Sequence, residues 1–381
     1  MFINSTSTAL KMIPVAQPDF GGNELKYVQD CISTGWISSV GKYVAEFERN
    51  FSSFCKTDYG AAVCNGTVAL HLALVALGIK QDDEVLVPNL TFIATANAVK
   101  YCEAKPVFID VDKETWTIAP EDLERRITDK TKAIIPVHLY GHPCNMDKIT
   151  SLAKSYNLFV IEDCAEAHGA LYKNEPVGSF ADAGCFSFFG NKIITCGEGG
   201  MVVTKNKELY ERLVLLRGHA ASKDKKYWHS EIGFNYRMTN IQAAIGVAQC
   251  ERIDSFIEKK RQNAQIYNEN LADCNSITLP PEKEWAKNVF WMYSVLLSPD
   301  AKLSRDNLLE NLRTKGIDTR PFFYPLSDMP PYKSDVNTEN EFPTTAFLSK
   351  QGFSLPSSAL LTKEQIIFIC NTIKEILNSA K

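Results

Sequence analysis

The sequence predicts a two-domain α/β protein, and three observations support this fold class. The chain has 381 residues, which is more than one simple domain usually contains. Between about residues 24 and 300, short β-rich runs alternate with helical segments, a pattern typical of βαβ units in a mostly parallel sheet flanked by helices. The last hundred residues carry a few more strands and two helices, which predicts a smaller C-terminal α/β domain.

The predicted domain limits follow from these patterns. Residues 1–11 form a polar N-terminal extension, residues 12–250 the large domain and residues 251–381 the small C-terminal domain. One long helical stretch, from Thr239 to Ala272, links the two domains.

The elements of the large domain are predicted in chain order. Two helices come first, over ELKYVQDCIST, which stops at Gly35, and over YVAEFERNFSSFC. The strand GAAVC precedes an apolar helix that ends at Gly78. The following strands are DEVLVPN, KPVFIDV, KAIIPVHLY, LFVIEDC, ADAGCFSFFG and GGMVVTKN, and the strands of the small domain are WMYSVLL, DTRPFFY and GFSLP.

Composition excludes several classes of protein. The formal net charge of -4 and the absence of basic runs argue against nucleic acid or a polybasic membrane surface as a partner. No apolar run approaches the ~18 residues of a membrane helix, and the N-terminus lacks the pattern of a secretion signal. The 11 cysteines form no CxxC pairs, and the six histidines are dispersed, so we expect free thiols in a reducing cytoplasm and no metal site.

The chemistry is expected beyond the carboxyl ends of the parallel strands, where ligands bind in open sheets. The first motif there is NGTVAL, in which Asn65, Gly66 and Thr67 open a helix. Backbone N–H groups at such a helix start bind phosphate, and the Thr67 hydroxyl adds a donor. A purely structural role for Thr67 as a helix cap explains the same residues equally well.

A second motif, FVIEDCAEAHGA, places Asp163 at the end of an apolar strand. Its side chain is either a helix cap or a functional carboxylate. Glu166 follows three residues later and has the spacing of a capping partner as well as of a catalytic group.

The third motif is SFFGNKIITCGEGG, in which Lys192 has almost only apolar or small neighbours. A solvated surface lysine is the ordinary alternative. Desolvation, however, lowers the pKa of a lysine and makes its amine a better nucleophile. Ser187, at the start of the motif, can donate to a phosphate.

Taken together, the three motifs suit pyridoxal 5'-phosphate. This cofactor needs a phosphate site, a lysine that binds it covalently, and an acid that keeps its pyridine nitrogen protonated. Lys192 and Asp163 are the candidates for the last two roles.

From residue 12 to about residue 375 the chain resembles the DegT-type family of sugar-nucleotide aminotransferases, which are fold-type I pyridoxal-phosphate enzymes similar to aspartate aminotransferase. The segments that carry the resemblance are GWISSVGKYVAEFE, NGTVALHLAL, VPNLTFIATANAV, PVHLYGHPCNMD, VIEDCAEAHGA, SFFGNKIITCGEGGMVVT and GFNYRMTNIQAAIG.

The resemblance assigns roles around the cofactor ring. It implies that Lys192 binds the cofactor and moves the proton, and that Asp163 pairs with the pyridine nitrogen. Glu166 takes the place near the ring hydroxyl where the family often has Gln or His, and Phe92 stacks on the ring.

The resemblance also implies a phosphate site and a partner. Gly66, Thr67 and Ser187 would hold the phosphate, and Asn235 would reach the phosphate of the neighbouring subunit. The active sites would therefore be shared across a homodimer. Candidate contacts of the sugar are Trp36, Ser38, His138, Arg320 and Tyr324, although Trp36 also suits the core and Arg320 a surface ion pair.

The implied reaction is a ping-pong transfer of an amino group from L-glutamate to a nucleotide-linked 4-keto-6-deoxy sugar. Alternatives are another keto sugar, a pyridoxal-phosphate sugar dehydratase and a non-enzymatic regulatory protein. The dehydratases have histidine in place of Lys192, and a regulatory protein would not need Lys192, Asp163 and Thr67 together. A nicotinamide-dependent oxidoreductase would need a GxGxxG turn, which CNGTVAL lacks.

Overall fold

The computed structural model describes residues 12–333 and 338–380. The predicted extension over residues 1–11 lies outside the described residues. Within the described ranges, every helix is too short or too polar to span a lipid bilayer.

The first two thirds of the chain alternate between helices and strands as the sequence predicts. The helices are α1 Glu24–Thr34, α2 Lys42–Phe54, α3 Gly66–Ala76, α4 Ala94–Tyr101, α5 Pro120–Arg126, α6 Met146–Tyr156, α7 Lys207–Arg217 and α8 Asn240–Cys250. The strands are β1 Tyr59–Val63, β2 Glu84–Pro88, β3 Lys105–Ile109, β4 Thr131–Ile134, β5 Phe159–Asp163, β6 Leu171–Tyr172, β7 Glu175–Pro176, β8 Ala183–Ser187 and β9 Gly200–Thr204.

Seven of these strands form one sheet in the order β1-β9-β8-β5-β4-β2-β3. The pairs from β8 to β3 are parallel, and only β9 runs antiparallel to its neighbours. The strands β1, β2, β4, β5 and β8 therefore point in one direction, and their carboxyl ends meet at one edge of the sheet. The prediction of a mostly parallel sheet is confirmed.

The sheet is buried on both faces because its strands are short continuous apolar runs. All five residues of β2 are buried, and six successive residues of α3 are buried because this helix packs on the sheet and on the helices α4 and α7. Gly35 ends α1 in the left-handed conformation with φ 75°, which a glycine adopts without strain.

The C-terminal part has its own four-stranded antiparallel sheet, in the order β10-β12-β14-β13. Its elements are α9 Ile253–Leu271, β10 Ile277–Thr278, β11 Ala286–Lys287, β12 Tyr293–Leu297, α10 Arg305–Thr314, β13 Arg320–Pro321, α11 Thr338–Glu341, α12 Pro343–Gln351, β14 Gly352–Leu355 and α13 Lys363–Ser379. The strand β11 pairs instead with β6, which joins β7 in a small three-stranded sheet.

The single helix predicted from Thr239 to Ala272 is wrong, because the structure breaks it between Cys250 and Ile253. Long-range contacts hold the break. Arg252 pairs with Asp19 at 2.8 Å, and Glu251 accepts hydrogen bonds from two side chains of the N-terminal region. The local sequence carries no signal for these contacts.

The prediction of two helices in the last hundred residues also needs correction, because this part of the chain contains more than two. One of them, α12, has little apolar periodicity and is fixed by the Thr345 N–H and hydroxyl, which both donate to Asp110 at 2.8 Å. In addition, the segment from Ile13 to Gln17 pairs with the C-terminal part, not with the large sheet. Ile13 forms a bridge with Ile317, and the Gln17 carbonyl accepts from Ser358.

The predicted domain boundary at residues 250 and 251 falls between α8 and α9. Helix α8 packs on α1 and α2, whereas α9 packs on α13. The domain boundary itself stays a prediction.

Candidate active site

The parallel strands bring the predicted motifs to the same edge of the large sheet. Asp163 is the last residue of β5 and Ser187 the last residue of β8, and the two strands are parallel neighbours. Asn65 follows β1, which points in the same direction. Residues that are far apart in sequence thus converge where the topology places a ligand.

The start of α3 places a helix N-terminus beside Ser187 at the sheet edge. Asn65 is the cap, since its side chain accepts from the Val68 N–H at 3.0 Å. The alternative that Thr67 is the cap is therefore wrong. Thr67 lies in the first turn and is partly exposed. A Cβ on Gly66 would lie 2.6 Å from the Cβ of Ser187, so only a glycine lets Ser187 approach this helix start.

The Asp163 carboxylate is buried at the sheet edge. Thr95 donates its hydroxyl hydrogen to one oxygen at 2.8 Å, and the Ala165 N–H donates to the other at 3.1 Å. Burial raises the pKa of Asp163, while Thr95 and Ala165 oppose the rise. The residues after Asp163 form turns and not a helix, so the helix-cap interpretation of Asp163 and Glu166 is wrong.

Lys192 lies in the loop after β8, and its amine points into the protein. The side chain is only 12% exposed, and Nζ is 3.8 Å from Oε1 of Glu166. Burial lowers the pKa of Lys192, and the carboxylates of Glu166 and Asp163 oppose this effect. The ordinary surface lysine is therefore excluded.

Glu166 faces Lys192 from a turn that follows β5. Its other oxygen accepts a hydrogen bond from the Tyr140 N–H at 2.9 Å. Burial raises the pKa of Glu166 to about 7, and the Lys192 ammonium opposes the rise. Burial thus shifts the pKa values of both members of the pair towards the neutral forms.

Phe92 and Asn235, two further cofactor candidates, are exposed. Phe92 lies between β2 and α4, and its ring centroid is 5.9 Å from that of Phe323. Asn235 lies on a surface segment that bridges to Gly218, and its amide oxygen accepts a hydrogen bond from Arg237.

Four of the five sugar candidates are exposed. Trp36 and Tyr324 are each more than half exposed, so the alternative that Trp36 belongs to the core is wrong. Ser38 is exposed as well. Arg320 is exposed but forms an ion pair with Asp318 at 2.7 Å, as the surface alternative for this residue predicts.

His138 does not reach the surface, and its interpretation as a sugar contact is not supported. The side chain is fully buried. Its Nδ1 accepts from the Cys144 N–H at 3.0 Å, so its Nε2 carries the hydrogen and donates to Glu162 at 3.0 Å. The local sequence could not show that this strand-end histidine faces the interior.

Within the described residues, His138, Glu162 and Cys164 are close enough together to hold a metal ion. However, the Glu162 oxygens already accept from the Gly178 and Phe180 N–H groups at 2.8 and 2.9 Å. This cluster satisfies buried polar groups behind the sheet edge.

Sequence reasoning missed three residues that shape the site: Thr95, Tyr140 and Trp291. Trp291 places its ring centroid 3.8 Å from the Lys192 Nζ. It lies in the apolar run NVFWMYSVLL, which predicts a core strand, and no local signal distinguishes its role. For Thr95, the only signal in the sequence is that a hydroxyl side chain follows shortly after the end of β2.

The arrangement fits pyridoxal phosphate. The side chains provide a buried amine, a buried carboxylate and a helix start that accommodates an anion, all at one sheet edge. Asp163 retains acceptor capacity, because each of its oxygens accepts one hydrogen bond and a carboxylate oxygen has two lone pairs.

Comparisons with known proteins agree with this geometry. Residues 18–374 match the DegT/DnrJ/EryC1/StrS aminotransferase family. A GDP-perosamine synthase from Escherichia coli is 50% identical over 96% of this chain and 99% of its own. A GDP-perosamine synthase from Caulobacter vibrioides is 45% identical over 97% of this chain and 99% of its own. The crystal structure of DesV from S. venezuelae in complex with a ketimine intermediate has a TM-score of 0.89 and 33% identity, and covers 94% of this chain and 95% of its own.

Proposed function

The chain belongs to the DegT/DnrJ/EryC1/StrS aminotransferase family, and from that premise we propose that it transfers the amino group of L-glutamate to GDP-4-keto-6-deoxy-D-mannose, which gives GDP-perosamine. The cofactor is pyridoxal phosphate, and the reaction class is sugar-nucleotide transamination. The observation that carries the chemistry is the buried Lys192, 3.8 Å from Glu166 and at the same sheet edge as Asp163.

Lys192 has two tasks in this reaction. It is the residue that holds the cofactor covalently between turnovers. When bound, pyridoxal phosphate supplies a ring that accepts the electron pair of a breaking C–H bond. Lys192 would then take the proton from the donor carbon on its Nζ and return it to the carbon on the other side of the amino nitrogen, a role that its lowered pKa favours.

Asp163 and Glu166 have different electrostatic roles. Asp163 keeps the ring nitrogen protonated, and its orientation is fixed by Thr95 and the Ala165 N–H. Glu166 would stabilise the Lys192 ammonium after the proton is taken up, since its Oε1 is 3.8 Å from Nζ, and the family resemblance implies that it would also contact the ring hydroxyl.

Gly66 and Thr67 at the start of α3, with Ser187 at the end of β8, would hold the phosphate, and Phe92 would cover the ring face. Asn235 of a second copy completes the phosphate site. The described surface supports such a homodimer, because large apolar side chains are exposed in two segments, Trp36 to Val40 and Tyr227 to Ile232.

Trp36, Ser38 and Tyr324 remain the candidates that contact the sugar. The identity of up to 50% with GDP-perosamine synthases supports the substrate. So does the segment RPFFYPL at residues 320–326, which resembles the same enzymes. GDP-perosamine is a building block of lipopolysaccharide O-antigen, and we place the enzyme in that synthesis. The 11 cysteines are all free thiols, which supports a cytoplasmic location.

The main rival is transamination of a dTDP- or UDP-linked keto sugar, since the cofactor residues would be the same. The test is incubation of the holoenzyme with L-glutamate and each of the GDP-, dTDP- and UDP-linked 4-keto-6-deoxy sugars, with products followed by mass spectrometry. We expect an aminated product from the GDP-linked mannose derivative at a rate far above the others. A faster reaction with another nucleotide would keep the reaction class and refute the substrate.

A second experiment tests the role of Lys192 directly. Borohydride reduction in the presence of pyridoxal phosphate attaches the cofactor permanently to the amine that binds it. We expect the added mass on the peptide that contains Lys192 and on no peptide of the Lys192→Ala variant. Attachment at a different lysine would refute the assignment.

A further inference from the structure

Four aromatic side chains connect the two parts of the protein beside Lys192. We call Phe92, Phe323, Tyr140 and Trp291 the aromatic column. Ring centroids of successive members are 5.9, 5.6 and 6.5 Å apart, and the last two contacts are stacked within 15° of parallel. The members come alternately from the large sheet's loops and from the C-terminal part, and Trp291 ends the column at Lys192.

Trp291 is fixed at two points, its indole N–H and its backbone carbonyl. Its indole N–H donates to the Asn191 carbonyl at 2.8 Å, next to Lys192 in the chain. Its own carbonyl accepts from the buried Lys260 amine at 3.1 Å, and Lys260 also donates to the Ser357 carbonyl at 2.7 Å. The residue as a whole is 5% exposed. An indole with both backbone and side chain bound keeps one orientation over the lysine.

The Lys192 amine lies between this ring and a carboxylate. Nζ is 3.8 Å from the ring centroid of Trp291 and 3.8 Å from Glu166. A ring face attracts an ammonium ion, and this attraction is strongest where water is excluded. Neither contact acts on a neutral amine to the same extent.

The pKa values of the other ionisable groups near Lys192 are shifted as well. The Asp163 carboxylate opposes the lowering of the Lys192 pKa, as the Glu166 carboxylate does. Burial, with Lys192 adding to the effect, lowers the pKa of His168 to about 3, so this imidazole is neutral. Burial lowers the pKa of Lys260 to about 7. Among these groups, only the two carboxylates favour the ammonium form electrostatically, and Trp291 supplies the remaining attraction.

We propose that Trp291 is a positioning residue whose ring face, together with Glu166, forms the resting site of the Lys192 amine whenever that amine is not bonded to the cofactor. The inference rests on the proposed role of Lys192. Between its release and its return, the lysine would otherwise rotate freely about four single bonds. The resting site holds it beside Asp163 and Glu166 and stabilises the ammonium that forms when it takes up a proton.

The test measures the protonation of Lys192 in the cofactor-free, full-length protein. Trace acetic anhydride is added over a pH series, and acetylation of the Lys192 peptide is quantified by mass spectrometry. Trp291→Leu removes the ring but keeps an apolar side chain. We expect the pH midpoint of Lys192 acetylation to fall by about one pH unit. An unchanged or higher midpoint would overturn the proposal.

Two further variants separate positioning from stability. Trp291→Phe keeps a weaker ring face and should give a smaller fall in the midpoint, and an unchanged midpoint in this folded variant counts equally against the proposal. Trp116→Phe is the matched control, because Trp116 is a similarly buried tryptophan, 4% exposed, whose ring packs on Phe322. It should lower the melting temperature and leave the midpoint unchanged, and a matching shift in this control would show a merely structural effect.

The holoenzyme gives an independent measurement. Trp291→Leu should lower kcat about tenfold and change KM for the nucleotide sugar less than twofold, because the ring acts on the lysine and not on substrate binding. A rise in KM without a fall in kcat would contradict this role. Failure of the Lys192 assignment would appear separately, as borohydride attachment of the cofactor to another residue.

Discussion

The proposed active site has a buried side and an exposed side, and the two differ in whether residues of a single chain are enough to form them. On the buried side, Asp163, Glu166 and Lys192 have defined partners within the same chain, and their pKa values are shifted by burial. On the exposed side, Phe92 and Tyr324 present more than half of their surface. The residues proposed for the chemistry thus lie within one chain, whereas the proposed substrate contacts would depend on the ligand and on a second copy.

This difference separates two kinds of residue. Buried groups can be assigned from their contacts, because burying a charge without a partner is costly. Exposed groups carry no such requirement, and their roles show only when something binds. We therefore expect substitutions on the buried side to lower kcat, and substitutions on the exposed side to affect KM and assembly.

The largest effect is expected for Lys192→Ala. Loss of the proton-transferring amine should lower kcat by about 10³-fold or more. Lys207→Ala, which removes an exposed lysine of α7, is the control and should retain activity. The measurement is the rate of product formation by mass spectrometry. If the kcat of Lys192→Ala were within tenfold of that of the unchanged protein, the proposed role of the buried side in the chemistry would be contradicted.

The next largest effect is expected for Asp163→Asn. The amide oxygen still accepts from Thr95, and only the hydrogen bond from the Ala165 N–H is lost, so the fold should persist. The charge that acts on the ring nitrogen is lost as well. We expect kcat to fall on the order of 10²-fold. Asp182→Asn alters a carboxylate at the opposite end of the same strands and should change kcat less than about twofold. Equal losses in the two variants would refute a specific role.

A smaller, pH-dependent effect is expected for Glu166→Gln. The pKa of Glu166 is raised to about 7, so the carboxylate that stabilises the Lys192 ammonium is present above pH 7 and lost below it. In the unchanged enzyme, kcat should therefore rise with pH through about 7. Glu166→Gln should lower kcat about tenfold and remove this inflection. An inflection that persists in the variant belongs to another group.

The smallest effect is expected for Arg320→Ala. Exposed ion pairs such as that of Arg320 with Asp318 contribute little to stability. Because Arg320 is paired with Asp318, we expect its removal to change KM for the nucleotide sugar less than about twofold. A tenfold rise in KM would instead show that Arg320 leaves Asp318 to bind the sugar nucleotide, and would sharpen the exposed side of the comparison.

The sequence predicted the sheet and the position of the buried residues well, for physical reasons. Apolar strands that end in Asp163 and Ser187 must place these side chains at the carboxyl edge of a parallel sheet. What it could not predict depends on long-range contacts. The break after Cys250 is held by residues near the N-terminus, and Trp291 resembles any core aromatic until the fold places it on Lys192.

His138 is a residue whose predicted role failed because of contacts from another strand. It follows β4 in the position of a ligand contact, but Glu162 on the neighbouring strand binds it from within. Whether a polar residue at a strand end faces the ligand or the interior depends on side chains from other strands, which local pattern does not specify.

The most direct test of the account asks whether the exposed side is completed by a second copy. Lys192→Ala and Asn235→Asp are each expected to be inactive, the second because it sets a negative charge against the phosphate. The two variants are mixed, unfolded and refolded together, and assayed. If the sites are shared across a homodimer, hybrid dimers contain one intact site, and activity should return to about a quarter of that of the unchanged enzyme. If the mixture remains inactive while each variant refolds, Asn235 acts within its own chain, and the division between a buried side from one chain and an exposed side completed by its partner is contradicted.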